Sequence, residues 1–462
     1  MADETMGVFS GFVYSINVMI GAGFLGIPYG FSETGYLLSF IYLIILCLLN
    51  NYLSLMFLEV IHKAMIIQGM KDEGLLIKLF ARDFFLSPQI EGTSYEPSKI
   101  NDDKRIDASI AMSIIFGKKF GIVYLLVLTL LFEGVLIAYC SIFASSLAAN
   151  IPLVTGTTCN IYKEGYFSEC IFSYWVFLFV YGSIVITLTI KGIKEQRVYQ
   201  IIMCTMRFVI ICVVVFSCAH LIVIGKSISS SSESHPDPIP FNFSNTGIGL
   251  PIILFALFYQ LQMPSVTQYV KDKKNNLWKI VTMISIVSFI WYGALGLVIP
   301  FAIDKVETQV TLNFKDYTGG KDSRNFIDYA ISLIVLLFPA FDVISSYSLI
   351  SISIVDNWKS MLYGTEEISK RKFLMIKLII SGIPLIVSFV LYDIGVILDF
   401  VGLSVLFLFQ IMIPIAHISV RMVSKAQSSY DVRCYWKPFN LLLSFAFTVL
   451  LVYLLVKLII HV

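Results

Sequence analysis

Apolar residues in this chain fall in long blocks separated by shorter polar stretches. Eleven blocks, 7–30, 36–62, 120–149, 171–190, 200–225, 247–270, 278–303, 325–355, 373–391, 394–420 and 438–460, reach or approach the length needed to cross a membrane. A helix needs about 20 mainly apolar residues for that crossing. The alternating ten-residue pattern of a transmembrane barrel is absent. Helices remain as the spanning form, because every backbone N–H and C=O must find a partner inside lipid. The long polar segment is 63–119, which mixes charge with Gly and Pro and is too short and too polar for a separate domain. The run Ser229–Ser234 followed by Pro236, Pro238 and Pro240 reads as an extended linker. The first block follows Asp3 and Glu4 rather than basic residues and is too long for the core of a cleavable signal peptide.

Composition agrees. Apolar residues make up 57% and charged residues 14% of the 462 residues, against a usual charged share of about 25%. Too little polar surface is left to cover a water-soluble globule, so soluble enzymes, nucleic-acid binders and disordered scaffolds are excluded. The net charge of +2 points to no polyanionic partner. The expected partners are the lipid bilayer and a small solute, and residues 1–462 read as one transmembrane domain.

Lys and Arg set the orientation. With the N-terminus inside, the inner loops carry nine (63–119), three (191–199), four (271–279), four (356–372) and four (421–437), or 24 in all. The outer segments carry seven: Lys163, Lys226, Lys305, Lys315, Lys321, Arg324 and Lys457. This bias puts the N-terminus in the cytosol, and an odd number of spans then puts the C-terminus outside or in a lumen. Asn242-Phe243-Ser244 is a glycosylation sequon in an assigned outer loop. Cys159 and Cys170 share another outer loop, where an oxidising compartment would allow a short disulfide. The remaining cysteines (Cys47, Cys140, Cys204, Cys212, Cys218, Cys434) have no metal-ligand spacing.

Two blocks contain helix breakers. The first holds Gly21, Gly23, Gly26 and Pro28 near mid-span. Glycine costs a helix interior about 1 kcal/mol and proline about 3. The sixth is interrupted by Gln260, Gln262 and Pro264. Unwound backbone at membrane depth is tolerated only when buried in protein or beside a cavity. Interrupted segments at matching places in two halves point to an inverted-repeat transporter. The expected fold is all-α and polytopic: eleven transmembrane helices, a first five-helix repeat at 7–225, a second at 247–420 and an additional helix at 438–460.

Residues Asn17, Gly21, Gly23, Leu25, Pro28 and Tyr29 match the opening Asn-x-x-x-Gly-x-Gly-x-Leu-x-x-Pro-Tyr of the amino acid/auxin permease family, which the chain resembles. That family belongs to the amino acid–polyamine–organocation superfamily. In its vacuolar and vesicular branch the sixth helix carries Phe-x-x-x-Gly-His-x-x-x-Pro-Ser-Ile. Phe255, Pro264, Ser265 and Val266 fit, Lys271-Asp272 follow, and Tyr259-Gln260 replace Gly-His. Phe116-Gly117, Phe338-Pro339, Gly402 and Pro414 are weaker matches. The resemblance implies a LeuT-like fold with discontinuous helices 1 and 6, amino acid substrates, and a place in a vacuolar, lysosomal or plasma membrane. It also implies that Asn17 and a hydroxyl of the eighth helix could form a sodium site. Ser332 is the nearest hydroxyl before Pro339, an ambiguous partner, so proton coupling is favoured over sodium. No cofactor is expected.

An amino acid is a zwitterion. The N-terminus of a half-helix offers unpaired N–H groups and a positive dipole end to a carboxylate. Gly21, Ala22 and Gly23 allow that close approach. The ammonium is expected at carbonyls near Phe255–Tyr259, with Tyr259 and Gln260 lining the side-chain pocket. Two carboxylates, Glu133 in the third span and Asp342 in the eighth, lie near mid-membrane and are candidates to carry a coupling proton. Thr129, Cys140, Ser141, Ala144 and Ser145 share the helical face of Glu133, so it faces protein or water. Glu59, Asp399, Arg207 and Lys377 are expected to snorkel to the interface. His417 and His220 lie deep in apolar runs, and a membrane acyltransferase would need a second catalytic partner, so no enzyme is expected. The function read from these features is secondary active amino acid transport by alternating access. The alternatives are an amino-acid sensor of the same fold, with 63–119 as its signalling segment, and a carrier of another small solute.

Overall fold

A computed structural model of the protein describes residues 8–20, 23–72, 107–151, 161, 170–191, 196–228, 237–260, 263–264, 270, 272–321, 323–364, 368–392, 394–423 and 436–461. Among these residues the architecture is all helical, with no β-strand. The helices in order are α1 (Val8–Ile20), α2 (Gly23–Thr34), α3 (Tyr36–Asp72), α4 (Ala108–Phe116), α5 (Lys118–Ala148), α6 (Cys170–Lys191) and α7 (Arg197–Val223). They continue as α8 (Thr246–Ala256), α9 (Lys273–Val298), α10 (Phe326–Tyr363), α11 (Lys370–Val387), α12 (Ile394–Val405), α13 (Met412–Val423) and α14 (Lys437–His461). A π-helical turn, Leu406–Ile411, joins α12 to α13.

Eight helical stretches among the described residues are long and apolar enough to cross a membrane. The other three apolar blocks hold α1 with α2, α8, and α11. The first three of these helices are 13, 12 and 11 residues long, too short to span alone. α11 has 18 residues but carries Lys370, Arg371, Lys372 and Lys377. Large apolar side chains such as Phe179, Val223, Phe216 and Val390 point outward, as expected where the surroundings are lipid rather than water.

Local sequence explains several boundaries. α10 starts with a reciprocal capping box, in which Asn325 and Asp328 satisfy each other's backbone N–H. Gly117 separates α4 from α5 at φ 95°, a conformation that side chains with a Cβ rarely adopt. α10 packs on α5, α8 on α2, α9 on α3, and α12 on both α5 and α8. The segment 400–423 is largely buried within the protein, whereas 437–456 is mostly not. α14 therefore lies at the periphery, and the π turn lies in the interior.

Candidate functional site

The sixth apolar block is interrupted, but its helix stops before the expected breakers Gln260 and Pro264. α8 ends at Ala256, and Leu257–Tyr259 are not helical. The carbonyls left free by such an end need donors. Asn50 Nδ2 of α3 donates to Leu257 O at 2.6 Å. Phe258 N–H donates to Phe255 O at 3.0 Å. The Tyr292 hydroxyl of α9 lies 2.9 Å from Ala256 O and 3.0 Å from Met19 O near the end of α1. Gln260 is buried, and its amide donates to Asn50 Oδ1. Tyr259 is buried beside it.

The start of α2 meets this same point. A Cβ on Gly23 would lie 2.8 Å from Ala256 Cα and 3.3 Å from the Tyr292 hydroxyl. Only glycine lets the two backbones come this close, so Gly23 brings the first turn of α2 against the end of α8. The helix ends of α1, α2 and α8 thus converge. Of the expected binding residues, Gly23 lies at this convergence, Phe255 is in the last turn of α8, Tyr259 and Gln260 follow that turn beside Asn50, and Gly21 and Ala22 lie outside the described residues.

One side of the convergence is held by a buried ion pair. Arg207 of α7 donates from Nε to Asp342 Oδ1 of α10 at 3.0 Å, and its Nη2 also reaches that oxygen. Its Nη1 donates to Asn17 O at 3.0 Å and to Asn17 Oδ1 at 2.9 Å. Asn17 Nδ2 in turn donates to Gln200 O at 2.7 Å and Gln200 Oε1 at 3.0 Å. Ser346 Oγ donates to Asn17 O at 3.4 Å. Arg207 and Asp342 are each 1% exposed. The snorkelling expected of Arg207 does not occur, because Asp342 and Asn17 together satisfy its guanidinium inside the protein. The eighth-span hydroxyl nearest Asn17 is that of Ser346, whereas Ser332 donates to Phe314 O at 2.7 Å.

Glu133 of α5 is in a different state. It is partly buried, and its Oε2 has no hydrogen-bond partner among the described residues. Its helical face meets protein, as the small polar stripe implies. Thr129 Oγ1 accepts from Trp358 Nε1 at 3.0 Å, and Ser141 Oγ donates to Tyr392 O at 2.6 Å.

A second buried charge centre joins α3 to α13. Glu59 accepts from Arg421 Nε at 2.6 Å and from Arg421 Nη2 at 2.8 Å, and its Oε2 lies 2.9 Å from His417 Nε2. Lys63 Nζ lies 3.2 Å from Glu59 Oε1. Glu59 is fully buried, so it too does not snorkel. Lys377 Nζ caps the end of α6, donating to Thr189 O at 3.1 Å and Ile190 O at 3.0 Å. Sequence reading missed both charge centres as units. The available signal was charge inside apolar blocks, which assigned Glu59 and Arg207 to the interface and Asp342 to coupling, each without its partner.

On the periphery, Asn242 Nδ2 donates to Glu33 O at 3.1 Å. Cys170 at the start of α6 is disulfide-bonded, and Cys159 lies outside the described residues. Among the described residues no group of His, Cys, Asp and Glu is arranged to hold a metal ion.

A multi-pass helical membrane protein with helix ends and buried charge meeting in its interior has the construction of a solute carrier. The model of the transmembrane amino acid transporter protein family matches residues 4–460, and the chain belongs to that family, which is a family of transporters rather than enzymes. The human transmembrane protein 104 is 22% identical over 395 residues, covering 78% of this chain and 76% of the relative. A transmembrane protein 104 homolog of Caenorhabditis briggsae is 23% identical over 367 residues, covering 77% and 69%. One from Dictyostelium discoideum is 22% identical over 446 residues, covering 87% of each chain.

Proposed function

We propose that the protein is a secondary active carrier of amino acids that works by alternating access, coupled to protons. The observation that carries the reading is the meeting of α1, α2 and α8 at Met19, Gly23 and Ala256. The first turn of α2 presents N–H groups and a positive dipole end suited to a carboxylate. The C-terminal ends of α1 and α8 present carbonyl oxygens and negative dipole ends suited to an ammonium. A zwitterion of amino acid size meets both requirements within one site. Gly21 and Ala22 belong to the same carboxylate cradle in this reading, and Tyr259 and Gln260 bound the side-chain pocket.

The favoured arrangement is eleven membrane crossings in a LeuT-like five-plus-five repeat. The N-terminus faces the cytosol, and the C-terminus faces the lumen or exterior of a vacuolar, lysosomal or plasma membrane. The 24-to-7 distribution of Lys and Arg supports this orientation. Coupling by protons is supported by what surrounds Asn17. Its backbone and amide oxygens, which a sodium ion would need, already accept from the Arg207 guanidinium. Glu133, with an oxygen lacking a partner among the described residues, is the better proton carrier than Asp342, which has Arg207 as its counter-charge.

Counterflow in proteoliposomes with each of the twenty labelled amino acids, with and without a pH gradient, tests the reading. Exchange of at least one amino acid, with accumulation driven by the pH gradient and indifferent to sodium, is the expected result. No exchange of any amino acid would end it.

A further inference from the structure

Tyr292 stands out because one proton serves two acceptors. A tyrosine hydroxyl has a single O–H to donate. Here that hydroxyl lies within hydrogen-bond distance of Met19 O and Ala256 O, the carbonyls that close α1 and α8. It is fully buried. The two helix ends converging on it each carry roughly half a negative elementary charge. Against these, the one positive end of α2 at Gly23 leaves a negative balance, so a neutral hydroxyl occupies a position that favours a cation and whose acceptors outnumber its donors. Gly23 bears on the same point, since a Cβ there would lie 3.3 Å from the hydroxyl and 2.8 Å from Ala256 Cα.

We propose that the Tyr292 hydroxyl is a displaceable stand-in for the substrate's ammonium, seated on Met19 O and Ala256 O when the carrier is empty and moved aside when an amine with at least two N–H donors arrives. The inference rests on the amino acid carrier reading, which already puts the ammonium at these carbonyls, and deepens it by naming the group that fills that place between cycles. A protonated primary amine can donate separately to both carbonyls and brings the positive charge that the helix ends favour. A fully N-methylated amine offers no donor and would leave both carbonyls buried and unpaired, which is costly. The site is thus selective for free amino groups. Tyr292 also has a kinetic role, because it gives the two carbonyls one shared donor while the empty carrier reorients.

The test compares wild type with Tyr292→Phe in proteoliposomes, using whichever of the twenty labelled amino acids gives the strongest wild-type counterflow. Phenylalanine keeps the ring and removes the competing hydroxyl. Half-saturation of exchange should fall about tenfold, the equivalent of roughly one net hydrogen bond no longer displaced by substrate. Net uptake, which requires return of the empty carrier, should fall relative to exchange. An unchanged or higher half-saturation, with exchange and net uptake falling together, would mean a structural tyrosine and overturn the inference. A second measurement covers a variant that does not fold. On purified wild-type protein, the same amino acid should raise the melting temperature, its N,N-dimethyl derivative, left with a single N–H, should raise it less, and its N,N,N-trimethyl derivative should not raise it. Equal stabilisation by the trimethylated compound would overturn the inference while leaving the carrier reading intact. No response of wild type to any amino acid in either assay would instead remove the carrier reading, and this inference with it.

Discussion

Asp342 and Glu133 are two carboxylates set in apolar spans, and they have been treated differently by the fold. Asp342 on α10 meets Arg207 from α7, and the guanidinium continues to Asn17 on α1. Three helices are tied by one charge-balanced centre with almost no exposure. Glu133 on α5 has small and polar neighbours on its helical face but an oxygen without a partner among the described residues. A buried charge is costly unless it is paired and hydrogen-bonded. The first carboxylate meets that condition with a fixed cation. The second can meet it with a proton, which can leave. Position along the span does not separate the two groups, whereas the presence of a counter-charge does. The Glu59 centre extends the comparison. One buried anion there is met by Arg421, Lys63 and His417, and the centre joins α3 to α13.

The contrast is broken most severely at Arg207. Arg207→Met leaves Asp342 charged and unpaired in the interior, and should cost about 3–5 kcal/mol of stability. Loss of folded protein in a detergent melting assay is the expected readout. Adding Asp342→Leu should recover much of the loss, because replacing both partners of a buried pair by apolar groups is often nearly neutral. Wild-type melting of Arg207→Met alone would deny the pair a structural role.

A smaller effect is expected at the second centre. Arg421 is 19% exposed and shares Glu59 with two other groups. Arg421→Ala should cost about 1.5–3 kcal/mol, the range for hydrogen bonds to a charged group. The same melting assay measures it, and a loss larger than that of Arg207→Met would reverse the ranking of the two centres.

Glu133→Gln sharpens the comparison from the other side. It keeps shape and hydrogen bonding but cannot release a proton. The melting temperature should change little. Accumulation driven by a gradient of one pH unit should fall about tenfold, since one unit is worth about 1.4 kcal/mol per proton. Substrate-for-substrate exchange should continue. Undiminished pH-driven accumulation would move the coupling role to Asp342. The smallest effect belongs to a pair with one exposed partner, Lys321 with Asp328, where the lysine side chain is 53% exposed, the aspartate is buried and the separation is 3.4 Å. Lys321→Ala should change stability by no more than about 1 kcal/mol, and a larger loss would show that exposure does not weaken pairs here as it does in water.

Much of the architecture was legible because it depends on local properties. Span length and hydropathy are read within 20–30 consecutive residues, and so are helix breakers. Gly23 and the 256–264 region could therefore be singled out as candidate backbone sites without knowing what they touch. The positive-inside count is local in the same way, since each loop contributes through its own composition. Pairing is not local. Arg207 and Asp342 are 135 residues apart, Arg207 and Asn17 are 190 apart, and Glu59 and His417 are 358 apart. Considered singly, Arg207 and Glu59 look like residues that should reach for the interface, and Asp342 like an isolated carboxylate. Tyr292 has no sequence signal at all, because a tyrosine in an apolar span resembles any other aromatic filling. Its hydroxyl gains meaning only when α9 places it between the ends of α1 and α8. The sequence alone therefore determined a helical membrane protein with marked sites of backbone weakness. Tertiary structure decided which buried charges are neutralised and which acceptors share a donor, because electrostatic and hydrogen-bond satisfaction depends on distances in space that periodicity does not encode.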